Sequence, residues 1–396
     1  MKCLSLLVVA CLAWSSTSAV DAAAPFYANG HGSSAIPDSY IVVLKGNNTA
    51  DNFEPRFNSI ANRHNARGGR RPRINQKFGR IPGFTFTATR TTVNELLNMD
   101  EVAYIEQDAL FTITGTQTNL PSWGLGRVSS KNRGATSYKY PNSAGAGVTA
   151  YVVDTGINAA HKDFGGRASM GANFIQGSAN TDENGHGTHV AGTIGGASYG
   201  VAKKVRLVGV KVLDARGSGS TSGIVRALDW VISVNKGKKA VINMSLGGGR
   251  SQALNDAVAR VVKANIPVIV AAGNNANQNA CAGSPSGAPA AFAVGASDIN
   301  DRAASFTSPG NCVKIIGPGV GITSSWIGSS TARNTISGTS MATPHVVGVA
   351  ALYMGADKNL KTASQVYKRL QATATKNKIS GLRGEANLLV FNGGGK

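Results

Sequence analysis

Beyond its first twenty residues the chain has no apolar run long enough to cross a bilayer, and nowhere does it repeat itself or fall into a low-complexity tract. A helical span needs about 20 consecutive apolar residues, which argues against a membrane anchor. Aromatic residues are few, at 6%, whereas glycine is abundant, at 49 of 396 residues, and 42% of the chain is apolar. That balance excludes a coiled coil or a disordered chain and suits an α/β protein with a sizeable core and many tight turns. Acidic residues are also scarce, 20 against 40 Lys and Arg, for a formal charge of +20. The shortage is local: residues 1–114 hold eleven Lys/Arg and nine Asp/Glu, so nearly all the excess lies in residues 115–396. Such a field favours adsorption to anionic surfaces. An aromatic-interleaved basic stripe and a nucleic-acid-binding module are both missing, which argues for a solvated basic surface and against nucleic acid as a partner.

The one conspicuous apolar run, Leu4 to Trp14, is eleven residues long; Lys2 precedes it and the small residues Ser15 to Ala19 follow. A basic start, a short apolar stretch and a small-residue cleavage site are the marks of a secretory signal, so residues 1–19 are expected to leave and the product to be extracellular. Cys3 and Cys11 leave with them. Cys281 and Cys312 remain, in loop-like sequence. In an oxidising compartment one disulfide between them is the natural reading; two free buried thiols are the other.

Residues 20–37 read as a linker. A small α+β pattern follows: Tyr40–Leu44 as a strand, Asp51–Asn65 as a helix with Phe53, Phe57 and Ile60 on one face, a basic loop Arg67–Arg73, then Phe84–Ala88 (strand), Val93–Met99 (helix) and Val102–Glu106 (strand). The order is β-α-β-α-β. Thr112 to Pro121 shows no strong pattern and reads as an exposed joint. From Gly147 onward apolar strands (148–153, 205–212, 240–244 and 268–270) alternate with helices (186–194, 222–234, 251–264 and 340–354). Near-continuous apolar strands joined by helical crossovers mean a parallel sheet covered on both faces.

In such a sheet sites form at the carboxyl ends of strands. Asp154 ends a strand in Val152-Val153-Asp154-Thr155-Gly156, and His186 and Ser340 each open a helix. A serine hydroxyl is a weak nucleophile that needs a base. An imidazole takes its proton near neutral pH, and a carboxylate holds the imidazole in the right tautomer. Placing the serine at a helix start aims its amide at a developing oxyanion. Asn274, which follows a buried strand, is the candidate second donor. His189 and His345 are assigned no role. Gly338-Thr339-Ser340-Met341-Ala342 comes close to the esterase nucleophile elbow, but that arrangement requires the order Ser, acid, His. Here Asp154 and His186 both precede Ser340.

The motifs Asp-Thr-Gly at 154–156, Gly-His-Gly-Thr-His at 185–189 and Gly-Thr-Ser-Met-Ala-Thr-Pro-His at 338–345 together resemble the signatures of the subtilases, most nearly the proteinase K branch, in the family's order. The resemblance runs from about Gly115 to Asn392. It implies a subtilisin-like catalytic domain over 115–396, preceded by a propeptide over 20–114 whose ferredoxin-like inhibitor and chaperone portion covers about 38–110. It also implies a triad of Asp154, His186 and Ser340, with Asn274 as oxyanion donor. Substrate edges are implied at Ser245, Leu246 and Gly247, with Ala271 to Gly273 opposite, and at Gly217, Ser218 and Gly219. The expected protein is then a monomeric secreted endopeptidase acting on protein substrates, held in check by its own propeptide. It requires no cofactor and prefers apolar or aromatic side chains in its primary pocket. Weak structural calcium is the one ion in question. Lys314 stands where relatives carry a calcium-binding Asp, so its ammonium is expected to face carbonyls near Pro289 and Ala291, with Asp182 and Glu183 as an alternative calcium site. A catalytically dead relative serving as a binding protein is the competing reading; it would need one of these four positions replaced, and none is.

Overall fold

The computed structural model describes residues 23–27, 35–66, 71–78, 82–109 and 114–395. The signal-like segment and the inner part of the linker lie outside them. The chain divides into two compact units, Met1–Phe111 and Thr112–Lys396.

The first unit contains β1 (Phe26–Tyr27), β2 (Ala35–Leu44), α1 (Ala50–Ala66), β3 (Arg73–Lys77), β4 (Gly83–Thr87), α2 (Arg90–Leu97) and β5 (Val102–Ala109). Its sheet runs β1-β5-β2-β4-β3. Alternation sends Tyr40, Val42 and Leu44 of β2, and Phe84 and Phe86 of β4, to one face. There they meet Phe53, Phe57 and Ile60 of α1 and Val93 and Leu96 of α2. Each fully buried side chain of this kind contributes about 1.5–3 kcal/mol. The unit has two strands more than the β-α-β-α-β expectation: β1, of two residues, falls in the stretch read as a linker, and β3 follows the basic loop. β3 begins at Arg73, the end of the expected loop. It is polar and almost wholly exposed, so no buried face imposes a hydrophobic pattern on it.

In the second unit β6 (Thr114–Thr118) pairs antiparallel with β7 (Ser137–Pro141), and α3 (Trp123–Ser129) lies between them in sequence. The expected joint over 112–121 thus holds a strand, made of Thr, Gly and Gln with no apolar residue to reveal it. There follow β8 (Thr149–Asp154), β9 (Ala168–Asn173), α4 (His186–Gly195), β10 (Arg206–Lys211), α5 (Thr221–Asn235), β11 (Ala240–Met244), α6 (Gln252–Lys263) and β12 (Val268–Ala271). The remainder is β13 (Phe292–Ser297), β14 (Val313–Pro318), β15 (Ile322–Ser325), β16 (Arg333–Ile336), α7 (Thr339–Ala356), α8 (Ala363–Thr373), β17 (Thr375–Lys376) and β18 (Leu388–Leu389). The main sheet runs β17-β18-β14-β13-β12-β11-β8-β10-β9, parallel except for β17 against β18.

Both faces of this sheet are covered, and β8 shows why its sequence is apolar throughout. Ala150 and Val152 enter the core beneath α4 and α7, while Tyr151 and Val153 enter the one beneath α5 and α6. The order also fixes where a site forms. β8 lies between β10 and β11, so the chain leaves it towards one side and later returns to the other. The carboxyl end of β8, Asp154, is therefore a topological switch point.

Candidate functional site

Asp154 is fully buried. Its Oδ1 accepts hydrogen bonds from the Thr155 amide at 2.8 Å and from His186 Nδ1 at 2.7 Å. That bond makes Nδ1 the donor and leaves Nε2 as the basic nitrogen. Burial pulls the imidazole's affinity for protons down. The charge and hydrogen bond of Asp154, with the charge of Asp182, outweigh burial and hold it above its ordinary value of 6.5.

The first turn of α4 is fully satisfied. Its N-cap is Gly185, at φ 104°, which has no side chain to cap with. The work falls to neighbours: the Gly185 amide donates to Asp182 Oδ1 (2.9 Å), His186 to Asn184 Oδ1 (3.2 Å), Gly187 to Thr155 Oγ1 (2.9 Å) and Thr188 to Asp182 Oδ2 (2.9 Å). Gly187 has no room for a side chain, since a Cβ there would lie 2.1 Å from the Gly156 carbonyl oxygen.

The start of α7 differs. The Thr339 amide and hydroxyl both donate to Asn274 Oδ1, each at 2.8 Å. Two donors on one atom identify it as the amide oxygen, so Nδ2 faces away. The Ser340 amide meets no acceptor among the described residues. A carbon built on Gly338 would lie 3.4 Å from Asn274 Nδ2 and 3.6 Å from Ser340 N. The two donors therefore converge on a space that stays open because residue 338 has no side chain.

Ser340 is tied to the neighbouring strand end in both directions. Its hydroxyl donates to the Ser245 carbonyl at 3.2 Å, and Ser245 Oγ donates to the Ser340 carbonyl at 2.9 Å. That carbonyl is available because Pro344, four residues on inside α7, has no amide hydrogen. Asn243 Nδ2 in turn bonds Ser245 Oγ at 2.9 Å. Among the described residues the Ser340 hydroxyl is bonded to this carbonyl and not to His186; apo geometry often leaves such a contact unmade.

Beside Ser340 lies a cleft of about 350 Å³. Leu246, Gly247, Ala271, Gly273, Asn274 and Ser340 line it, and no charged side chain does. Gly217, Ser218 and Gly219 lie outside it, in an exposed segment beyond any strand. Its preceding turn is closed by Asp214 and tethered by Asn184 Nδ2 on the Ala215 carbonyl (2.9 Å). Cys281 and Cys312 are bonded to each other. His189 and His345 are buried on backbone carbonyls of Ile322 and Met341, and burial pushes each down to about 4.

The calcium expectations need correction. Lys314 Nζ bonds the Asn311 carbonyl at 3.3 Å and not carbonyls near Pro289 and Ala291; the short reach within its own turn wins. Asp182 does not fit a cation either, because its two oxygens already accept five hydrogen bonds. Glu183 bonds the Ser178 hydroxyl and lies 3.5 Å from the ammonium of Lys211. Among the described residues no group of three or more His, Cys, Asp or Glu is placed to hold a metal.

In the sequence Asp182 reads only as a calcium candidate, and nothing there assigns a role to Thr155, Asn184 or Pro344. A carboxylate shortly before a helix that begins Gly-His-Gly is itself a capping signal.

A doubly covered parallel sheet with serine, histidine and aspartate gathered at its carboxyl edge, on a chain with a separate small α+β unit, defines the serine hydrolases built on a parallel sheet. Residues 145–388 match the Subtilase family, and residues 39–114 match the Peptidase inhibitor I9 family; the chain belongs to the subtilase family and is a serine endopeptidase with an inhibitor-type propeptide. It is 44% identical to Subtilisin-like protease 2 of Pseudogymnoascus destructans, over 91% of this chain and 90% of that protein. It is 43% identical to Alkaline protease 1 of Emericella nidulans, over 90% and 92%. A crystal structure of a cold adapted subtilisin-like serine proteinase superposes with a TM-score of 0.64 at 46% identity, covering 68% of this chain and 97% of that one.

Proposed function

We propose that the chain is a secreted precursor of a broad-specificity endopeptidase in which Ser340 is the nucleophile, His186 the base and Asp154 the group that orients it. The observation that carries this reading is the convergence of Asn274 Nδ2 and the unbonded Ser340 amide on the space beside Gly338. As Ser340 Oγ bonds the scissile carbonyl carbon, its proton passes to His186 Nε2 and the carbonyl oxygen takes the negative charge between those two donors. Collapse breaks the C–N bond, and His186 returns the proton to the departing amine. Water, deprotonated by His186, then releases the acyl group and restores Ser340.

Extended substrate lies between 217–219 and 245–247 as an added strand. The uncharged cleft walls favour apolar or aromatic side chains, because a charge there would be desolvated without a partner. Residues 20–114 are removed, with cleavage between Ile113 and Thr116, and the released segment inhibits the mature enzyme. The inactive-relative reading has no replaced residue to rest on. Calcium contributes little: Lys314 places an ammonium where a hard cation needs carboxylate oxygens, so thermal inactivation of mature enzyme should have the same half-life with excess calcium and with chelator, and a large loss on chelation would refute this.

The deciding experiment expresses wild type and Ser340→Ala precursors and follows both by mass spectrometry and peptide-library digestion. Wild type should yield a mature start between Ile113 and Thr116 and cleave after apolar and aromatic residues. Ser340→Ala should accumulate uncleaved, with turnover lower by about 10⁶. Normal processing and activity in the variant would overturn the assignment.

A further inference from the structure

We propose that Asp182 is a positioning residue for His186, locking the strand end that carries Asp154 to the helix start that carries His186 by way of Thr155. The inference rests on the triad reading above and adds to it a residue that touches neither substrate nor the transferred proton.

The network is closed and buried. Asp182 Oδ1 accepts from Thr155 Oγ1 (2.8 Å), Asn184 N (3.0 Å) and Gly185 N (2.9 Å), and Oδ2 accepts from Thr188 N (2.9 Å) and Thr188 Oγ1 (2.6 Å). Every one is a donor on an acceptor-only group. Thr155 is the hinge of the arrangement. Its amide bonds Asp154 Oδ1, its hydroxyl joins Asp182 to the Gly187 amide, and its carbonyl accepts from Lys211 Nζ at 2.8 Å. Thr188 Oγ1 in addition accepts from the Asn158 amide at 2.9 Å, tying the loop after β8 to the same turn. Thr155, Asp182, Thr188 and Lys211 are all buried, three of them completely. β8 and α4 are separated in sequence by two loops and β9; core packing lays α4 over β8, and these cross-links fix the strand end against the helix start. With Gly185 unable to cap α4, Asp182 takes the Gly185 and Thr188 amides directly and holds the Thr155 hydroxyl that takes the Gly187 amide, and the imidazole rides on that turn.

The charge has a second effect. The charges acting on His186 are those of Asp154 from β8 and Asp182 from the loop before α4, with His189 one turn further on; Lys211 of β10, with Glu183 beside it, lies behind Thr155. Asp182 is one of the two carboxylates that raise the affinity of His186 for protons. A general base works only when neutral, so activity appears as pH rises through the His186 titration. Removing the Asp182 charge lowers that titration point.

Two variants separate geometry from charge. Thr155→Val removes one hydroxyl and no charge; Asp182→Asn removes the charge and part of the network. Both are expressed as full precursors beside Ser340→Ala, and matured enzyme is quantified by active-site titration before kcat and KM are measured across the acid limb. Thr155→Val should lose about tenfold in kcat, with KM and the acid limb unmoved. Asp182→Asn should lose up to about a hundredfold, with the acid limb moved to lower pH. If Asp182→Asn does not mature, Thr155→Val alone decides. Wild-type kcat in Thr155→Val, or a wild-type acid limb in a folded Asp182→Asn enzyme, overturns the proposal. Because Ser340→Ala is assayed alongside, an inactive serine variant with unaffected Asp182 and Thr155 variants discards this inference alone, whereas an active serine variant discards the triad reading beneath it.

Discussion

The helices that carry His186 and Ser340 start at the same edge of the sheet, yet their first turns are finished in opposite ways. At α4 every leading amide finds an acceptor in Asp182, Asn184 or Thr155. At α7 the Thr339 amide is taken by Asn274 Oδ1, while the Ser340 amide meets no acceptor among the described residues. In the proposed mechanism the first arrangement holds a base still, and the second leaves a donor waiting for charge that exists only during reaction. Preorganised donors of that kind cost no rearrangement when the charge appears. On that proposal the same backbone feature, a helix N-terminus, serves orientation in one place and electrostatic stabilisation in the other.

The contrast can be tested from the α7 side first. Asn274→Ala should lower kcat by about 10²–10³ with little change in KM, as removal of one oxyanion donor does; a rise in KM with kcat intact would make Asn274 a ground-state contact. Gly338→Ala places a methyl 3.4–3.6 Å from both donors, in the space between them. Its backbone is extended, at φ 163°, a conformation open to any residue, so the fold should survive. We expect a loss of about ten- to a hundredfold in kcat, again without movement of the acid limb, and undiminished turnover would show that the oxyanion lies elsewhere.

The smallest effect concerns what the helices share. Each carries a second, buried histidine, His189 in α4 and His345 in α7, pushed down to about 4. A folded-state value below the unfolded value near 6.5 means the unfolded chain binds the proton first. Stability from these two groups is therefore complete above about pH 6.5 and falls as pH drops towards 4, by on the order of 3 kcal/mol for each histidine. Denaturant midpoints measured across this window should decline for wild type and decline less for a folded His345→Gln variant. Identical slopes would remove His345 from the account.

Much of this was legible in the sequence for physical reasons. Apolar strands covered on both faces, such as Thr149–Asp154, and helices with a regular buried face, such as α1, write their environment into their composition. The placement of Asp154 at a strand end and of His186 and Ser340 at helix starts was likewise legible, from the turn of composition at 154, 185 and 338. What stayed hidden has no such imprint. β3 and β6 are polar strands at sheet edges: β3 joins β4 through backbone pairing and the Asn75–Thr87 side-chain contact, and neither strand has an alternating apolar pattern. Asp182 reads like any loop carboxylate until its five donors, from residues 155 to 188, are brought round it. Pro344 looks like a helix breaker until Ser245 is seen to take the carbonyl it releases.

The central claim is that the Ser340 amide and Asn274 Nδ2 bind charge that develops only in the transition state. It is tested most directly by a peptide boronate or aldehyde, whose tetrahedral adduct on Ser340 mimics that state, measured against wild type and Asn274→Ala together with a matched peptide substrate. The account predicts that the inhibition constant weakens in step with the loss in kcat/KM, by about 10²–10³, while substrate KM stays put. Equal inhibitor binding by the two enzymes would contradict it.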